Sequence, residues 1–205
     1  MSSIAYYNTN AEKFVEATFG VEMESIYQPF LKYLPDQALI LDVGCGSGRD
    51  SLAFKNKGYD VEAIDYSEVL VNKATELTGI AVRHQSFYDI KATEVYDGIW
   101  ACASLLHCER LRLVEVLQKL SKALKPGGVL YMSFKYGDGD REKDGRYFTD
   151  LNEEQAATLL QALDDIRLLQ QWITVDQRPE RREKWLNILI GKESFGGAAC
   201  PCFMR

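Results

Sequence analysis

The chain has 205 residues, with 24 Lys and Arg against 30 Asp and Glu and a formal net charge of −6. That balance argues against a basic nucleic-acid-binding domain. No apolar run approaches the roughly 20 residues of a membrane span, and the length suits one domain of about 100–200 residues. Five scattered cysteines (Cys45, Cys102, Cys108, Cys200 and Cys202) show no disulfide-framework spacing. The N-terminus has no basic region leading into an apolar stretch. The expectation is a reduced, cytoplasmic monomer or homodimer with neither nucleic acid nor membrane as partner.

Asn8, Thr9 and Asn10 offer a cap for a short helix over residues 11–19. Met23, Ile26, Tyr27, Phe30, Leu31 and Leu34 recur at helical spacing over residues 21–34. Residues 1–36 therefore read as an N-terminal helical cap. Apolar strands follow over residues 39–43, 60–64, 80–84, 98–102 and 129–134. Helices fall between them over 47–57, 67–78 and 109–124. Gly58 stops the first helix, Ser67 caps the second, Gly79 ends it, and Pro126-Gly127-Gly128 breaks the third. Strands separated by helices of this length imply right-handed crossovers and a parallel sheet.

Residues 135–148 form a charged, glycine-punctuated stretch, expected to be a loop. Asn152 with Gln155 marks a capping box for a helix to about residue 163. Strands over 166–175 and 184–190, joined by a polar turn with Pro179, make a hairpin and one antiparallel edge strand. The fold class is α/β: a Rossmann-like, seven-stranded, mostly parallel sheet with helices on both faces. It spans residues 37–192, and residues 193–205 read as a flexible tail.

The strongest local signal is Leu41-Asp42-Val43-Gly44-Cys45-Gly46-Ser47-Gly48-Arg49-Asp50, which leaves the first strand and opens a helix. Glycines there let a ligand approach the backbone, and helix N-terminal amides favour a negative group. A dinucleotide fingerprint needs a third glycine where Arg49 stands, and a P-loop needs a Gly-Lys-Ser/Thr ending. Both are missing, which weakens a nicotinamide oxidoreductase. Asp65 ends the second strand 21 residues beyond Gly44. An acid at that distance accepts ribose hydroxyls, so the ligand contains a nucleoside.

LDVGCGSGRDS and YDVEAIDYS resemble motifs I and II of class I S-adenosylmethionine-dependent methyltransferases. YDGIWACASLLHC and LKPGG extend the resemblance over residues 39–134. CGSGRDS with KGYDVEAID is most similar to the small tellurite-resistance-type members. The resemblance implies S-adenosylmethionine as cofactor and Gly44, Gly46 and Gly48 against its methionine part, with Arg49 in the same loop. It further implies that Asp42 orients the loop, Asp65 holds the ribose and Tyr66 flanks the adenine. Ser86 stands where an acid is common, with Phe87 and Asp89 as alternative adenine contacts. Ala101 and Cys102 fall near the methionine chain.

A sulfonium methyl is already activated, so the protein supplies mainly position and exclusion of water. His107, after the fourth strand, is the candidate base for an acceptor hydroxyl or amine. Tyr6 and Tyr7 could line a lid over the cofactor, their rings suited to a cationic sulfonium. Lys135, Arg146 and Tyr147 are candidate acceptor contacts; their convergence would favour an anionic acceptor. The catalytic candidates are thus His107, Tyr7 and Arg146, and the acceptor is a small molecule. The alternatives are an RNA or protein methyltransferase, or a non-catalytic cofactor-binding module. His84 reads as structural, Cys45, Cys102 and Cys108 as inert fillers, the run Arg178, Arg181, Arg182 and Lys184 as a solvated loop, and Cys200-Pro201-Cys202 as a reduced tail.

Overall fold

The computed structural model describes residues 3–178 and 181–194. Helix α1 (Ser3–Thr18) opens it, with non-helical dihedrals at Asn10 (φ −110°, ψ 16°). The expected helix start is therefore a kink inside a longer helix. Asn10 Nδ2 donates back to Tyr6 O at 2.9 Å, so the side chain serves the turn before it. Helix α2 (Glu24–Leu31) carries Pro29 within it. Its Ile26, Tyr27 and Phe30 pack with Ile40, Phe54, Trp100 and Tyr131, so α2 is a layer of the core itself.

The alternating part then runs β1 (Leu39–Val43), α3 (Arg49–Asn56), β2 (Asp60–Asp65), α4 (Glu68–Thr78), β3 (Arg83–His84), β4 (Tyr96–Ala101), α5 (Leu113–Ala123) and β5 (Leu124–Lys135). After it come β6 (Asp140–Lys143), β7 (Arg146–Thr149), α6 (Glu153–Gln161), β8 (Ile166–Val175) and β9 (Lys184–Lys192). The main sheet has seven strands in the order β3-β2-β1-β4-β5-β9-β8. β1 through β5 pair in parallel, and β9 runs antiparallel to both β5 and β8. The antiparallel pairing lies at the expected edge. The strand that opposes the rest is β9, one place in, with β8 outermost.

Strand pleating sorts the core into two faces. Leu41, Val43, Ile99, Leu130 and Met132 meet Val116, Leu117 and Leu120 of α5. Ile40, Trp100 and Tyr131 meet α2 and Phe54 of α3 on the other face. Burying both faces is what near-continuous apolar strands in a parallel sheet achieve. Ser67 Oγ accepts from Leu70 N at 3.3 Å, and Gly79 closes α4 in the left-handed region. Asn152 and Gln155 form the capping box of α6.

Further expectations change. β3 is only two residues long, because Ile80 and Val82 turn into the core beneath α4 instead of extending the strand. α5 starts at Leu113, after a 3-10 turn over Arg110–Arg112. Residues 135–148 are no plain loop: β6 and β7 form a hairpin closed by Asp144 (φ 53°) and Gly145 (φ 74°). An Asp-Gly pair with two positive φ angles makes the type I′ turn that matches strand twist. Pro179 and Cys200-Pro201-Cys202 lie outside the described residues. Among the described residues no helix is long and apolar enough to cross a membrane.

Candidate active site

A cavity of about 440 Å³ opens at the carboxyl ends of β1, β4 and β5, walled by α1, the β6–β7 hairpin and the turn between β8 and β9. Such an edge is where open α/β sheets bind ligands. The glycine loop forms one wall. Gly44 N and Cys45 N both donate to Ile64 O, at 2.8 and 3.0 Å, tying the loop to β2. Gly46 N donates to Asp65 Oδ2 at 2.9 Å, and Ser67 N to Asp65 Oδ1 at 2.8 Å. Burial raises the Asp65 carboxyl above the ordinary range, and these backbone donors pull against that rise.

Gly44 and Gly46 line the cavity, as do Asp42 and Arg49. Gly48 does not. A Cβ on it would come within 2.7 Å of Thr78 and 3.1 Å of Ala74, at φ +79°, so this glycine serves the close approach of α3 to α4. The loop faces α1: a Cβ on Gly46 would meet the Phe14 ring at 2.9 Å. Asn8 Oδ1 accepts from Ser67 Oγ at 2.6 Å, so α1 also covers the end of β2. Asp65 is 9% exposed and does not open into the cavity.

The residues expected around the adenine stand outside the cavity. Tyr66 is 51% exposed and stacks on His84 with ring centroids 5.7 Å apart. Ser86 is buried as the cap of a 3-10 turn, its hydroxyl accepting from Tyr88 N at 3.2 Å. Phe87 packs against the main core, and Asp89 is exposed. Ala101 is fully buried inside β4; Cys102 and Ala103 line the cavity in its place. Ala103 is held at φ +52°, sparsely populated for a residue with a Cβ, and its N–H donates to Ser133 Oγ at 2.8 Å. Beside Gly44, the buried Ser104 Oγ has no hydrogen-bond partner within the described protein.

At the floor, Asp50 takes four hydrogen bonds. Arg49 grips it with Nε at 2.6 Å and a terminal nitrogen at 3.0 Å, Tyr27 donates at 2.6 Å and Trp100 Nε1 at 2.8 Å. These donors and the guanidinium hold its pKa below the ordinary carboxylate range. Asp42 shows the opposite response. Burial, reinforced by the neighbouring Asp50 charge, raises it to about 8, and Ser51 Oγ donates to it at 2.5 Å. Neither Asp50 nor the Tyr131–Asn187 pair beside it (2.6 Å) was assigned a role from sequence.

The three catalytic candidates converge. Nδ1 of His107 lies 2.7 Å from Tyr147 O, and a carbonyl only accepts, so Nδ1 carries the proton. The lone pair on Nε2 then accepts from the Tyr7 hydroxyl at 2.8 Å. Burial pushes His107 down to about 4 and Tyr7 upward, so both are neutral near pH 7. The Arg146 guanidinium lies 4.0 Å from the Tyr6 ring centroid, 5.2 Å from Phe148 and 6.0 Å from Tyr7. It thereby occupies the aromatic faces expected to meet a sulfonium. Tyr147 contributes its backbone, not a side-chain contact to the cavity.

Lys135 also lines the cavity, paired with Glu183 at 2.7 Å. Arg178 and Arg181 line its mouth, which corrects the reading of that run as a solvated loop; Arg182 and Lys184 stay outside. The signal was topological. β8 points the same way as the parallel strands, so the turn after it falls at their carboxyl edge.

A doubly wound sheet with a glycine loop bound to a strand-end acid defines a nucleoside-binding α/β protein. Residues 40–128 match the family model described as a methyltransferase domain. Over 97 residues, 45% of this chain and 37% of the relative, the chain is 34% identical to the malonyl-[acyl-carrier protein] O-methyltransferase of Salmonella typhimurium. It is 30% identical over 95 residues, 43% of this chain and 33% of the relative, to the "Probable S-adenosyl-L-methionine-dependent methyltransferase TehB" of Haemophilus influenzae. The chain thus spans well under half the length of these two curated relatives. Its fold is that of the Burkholderia thailandensis 1,6-didemethyltoxoflavin-N1-methyltransferase, crystallised with 1,6-didemethyltoxoflavin and S-adenosylhomocysteine. The TM-score is 0.77 at 21% identity, covering 93% of this chain and 87% of that one. Over residues 40–128 the chain is thus similar to methyltransferases, and its fold is one that S-adenosylmethionine-dependent members of that class share.

Proposed function

We propose that this chain transfers the methyl group of S-adenosylmethionine to a small-molecule acceptor bound between the glycine loop and the Tyr7–His107 pair. One observation carries the reading: a single cavity has the Gly44 and Gly46 backbone on one wall and Tyr7, His107 and Arg146 on another. The residues fit the cofactor. Asp65, buried beside α1 and bonded to the loop, would accept ribose hydroxyls once α1 shifts, and the Gly44 and Gly46 backbone on the cavity wall would meet the methionine end. When bound, S-adenosylmethionine supplies an electrophilic methyl that needs no enzyme nucleophile.

The chain's own residues then position and dehydrate. α1 lies over the loop through Phe14 and Asn8, so it must shift to admit a cofactor and can close again behind it. His107 Nε2 presents a lone pair that already accepts an O–H, that of Tyr7. An acceptor hydroxyl taking that hydrogen bond would have its oxygen oriented and its proton held. A volume of about 440 Å³, within the range of small-ligand pockets, supports a small acceptor over a macromolecule.

The test is turnover. The protein is incubated with S-adenosylmethionine and a panel of small phenols, acids and amines, and S-adenosylhomocysteine is quantified. Acceptor-dependent release is expected, with kcat falling about 10²-fold in His107→Gln. Tight cofactor binding without release across the panel would make the chain a silent binding module.

A further inference from the structure

The charge on the cavity wall runs against the charge of the chain. The whole protein carries a net −6, yet seven Lys and Arg side chains line the cavity against four carboxylates. Three of those carboxylates are already taken. Asp50 is gripped by Arg49, Asp176 by Arg178, and Glu183 by Lys135, with Arg181 at 3.7 Å. The fourth, Asp42, is raised by burial to about 8 and is largely uncharged at neutral pH. The cations that no cavity-lining carboxylate matches are Arg146, Lys143 and Lys13. Arg146 meets Asp144 at 3.4 Å through one terminal nitrogen and acts on the Tyr7 hydroxyl, and its buried Nε has no partner. Lys143 and Lys13 hold no ion pair with any described residue.

The methionine end of the cofactor brings a sulfonium and an ammonium against one carboxylate, so it adds positive charge to a wall already in excess. A half-buried guanidinium whose Nε–H has no partner costs free energy unless a ligand completes it, and the exposed Lys143 and Lys13 add positive charge at the rim. We infer that the acceptor itself is an anion, a small carboxylate held by Arg146 with Lys143 at the rim. This rests on the reading that the cavity takes a methyl acceptor. It adds that recognition is by charge, beside the aromatic faces of Tyr6 and Phe148 that already stack on Arg146. A guanidinium with a free Nε–H and a terminal N–H in one plane is the fork that meets a carboxylate in bidentate fashion.

The experiment uses a matched pair of probes, 4-hydroxybenzoate and 4-hydroxybenzamide, titrated calorimetrically into the full chain saturated with S-adenosylhomocysteine. The acid is expected to bind about tenfold tighter than the amide or better, the scale of a charge-assisted hydrogen bond. That preference should fall to near unity in Arg146→Gln and be partly lost in Lys143→Gln. Lys143 is exposed on the hairpin, so its variant keeps the test open if Arg146→Gln misfolds. S-adenosylhomocysteine affinity is measured first in each protein. Absence of that binding in the parent sinks the methyltransferase reading itself. With cofactor binding intact, equal affinities for the two probes, no binding of either, or an acid preference untouched in both variants overturns the anionic-acceptor inference. A preference that persists while Arg146→Gln weakens only the cofactor assigns Arg146 to the cofactor, and also overturns it.

Discussion

His107 allows a quantitative test through pH. Its imidazole is buried between Tyr7 and the Tyr147 carbonyl and held near 4, against about 6.5 in an unfolded chain. Between those values the unfolded state binds the proton and the folded state does not. Folding stability contributed at this site is therefore complete above about pH 6.5 and lost as pH falls toward 4. Each pH unit within the window is worth about 1.4 kcal/mol, so moving from about pH 7.5 to 5 costs the parent about 2 kcal/mol at this residue. Asp42 works in the opposite sense, because its carboxyl is raised to about 8 and holds a proton in the folded state as pH climbs. Comparison with His107→Gln cancels that contribution, since both proteins carry Asp42. Urea denaturation of the two proteins at both pH values gives the stability difference, which should shift by about 2 kcal/mol in favour of the variant at pH 5. A difference constant to within about 0.5 kcal/mol would refute the buried neutral imidazole and the tautomer drawn from it.

Two substitutions separate the floor of the cavity from its packing. Asp50→Ala removes the partner of the buried Arg49 guanidinium along with acceptors for Tyr27 and Trp100. The expected loss is about 3–5 kcal/mol, or roughly 6–20 °C in Tm for a chain of this size, read by circular dichroism. A loss below about 1 kcal/mol would mean that Arg49 finds water there. Gly48→Ala forces a Cβ onto Thr78 at φ +79°, costing more than the 1–2 kcal/mol or so of the left-handed conformation alone. Because Gly48 lies off the cavity, the folded fraction should keep its S-adenosylhomocysteine affinity. An affinity loss at unchanged Tm would return this glycine to the cofactor.

The parallel core was legible because it rests on local rules. The apolar runs of β1 and β5, the Ser67 cap and the Asn152–Gln155 box each carry their meaning within a few residues. The Asp144-Gly145 turn was equally local, and its hairpin was hidden only by the charges around it. What the sequence concealed depends on contacts distant along the chain. Nothing near Gly46 announces that Phe14 lies on it, and nothing near Arg146 announces that Tyr6 stacks on it. Ser86 and Phe87 were expected at the adenine because of their place after β3. The turn that Ser86 caps, and the core that Phe87 joins, use them otherwise. Tyr7, His107 and Arg146 come from three separate elements and meet within one cavity, which only the folded chain brings about.

Asp65, the carboxylate that closes β2, is expected to receive the ribose of an adenosyl cofactor once α1 gives way. A calorimetric titration of S-adenosylhomocysteine into the parent and Asp65→Asn tests it most directly. Saturable binding to the parent is expected, with an affinity lower by about tenfold to a hundredfold in the variant, as loss of a charged hydrogen-bond acceptor implies. Equal affinity in the two proteins, or a parent that takes NAD and leaves S-adenosylhomocysteine unbound, would contradict it.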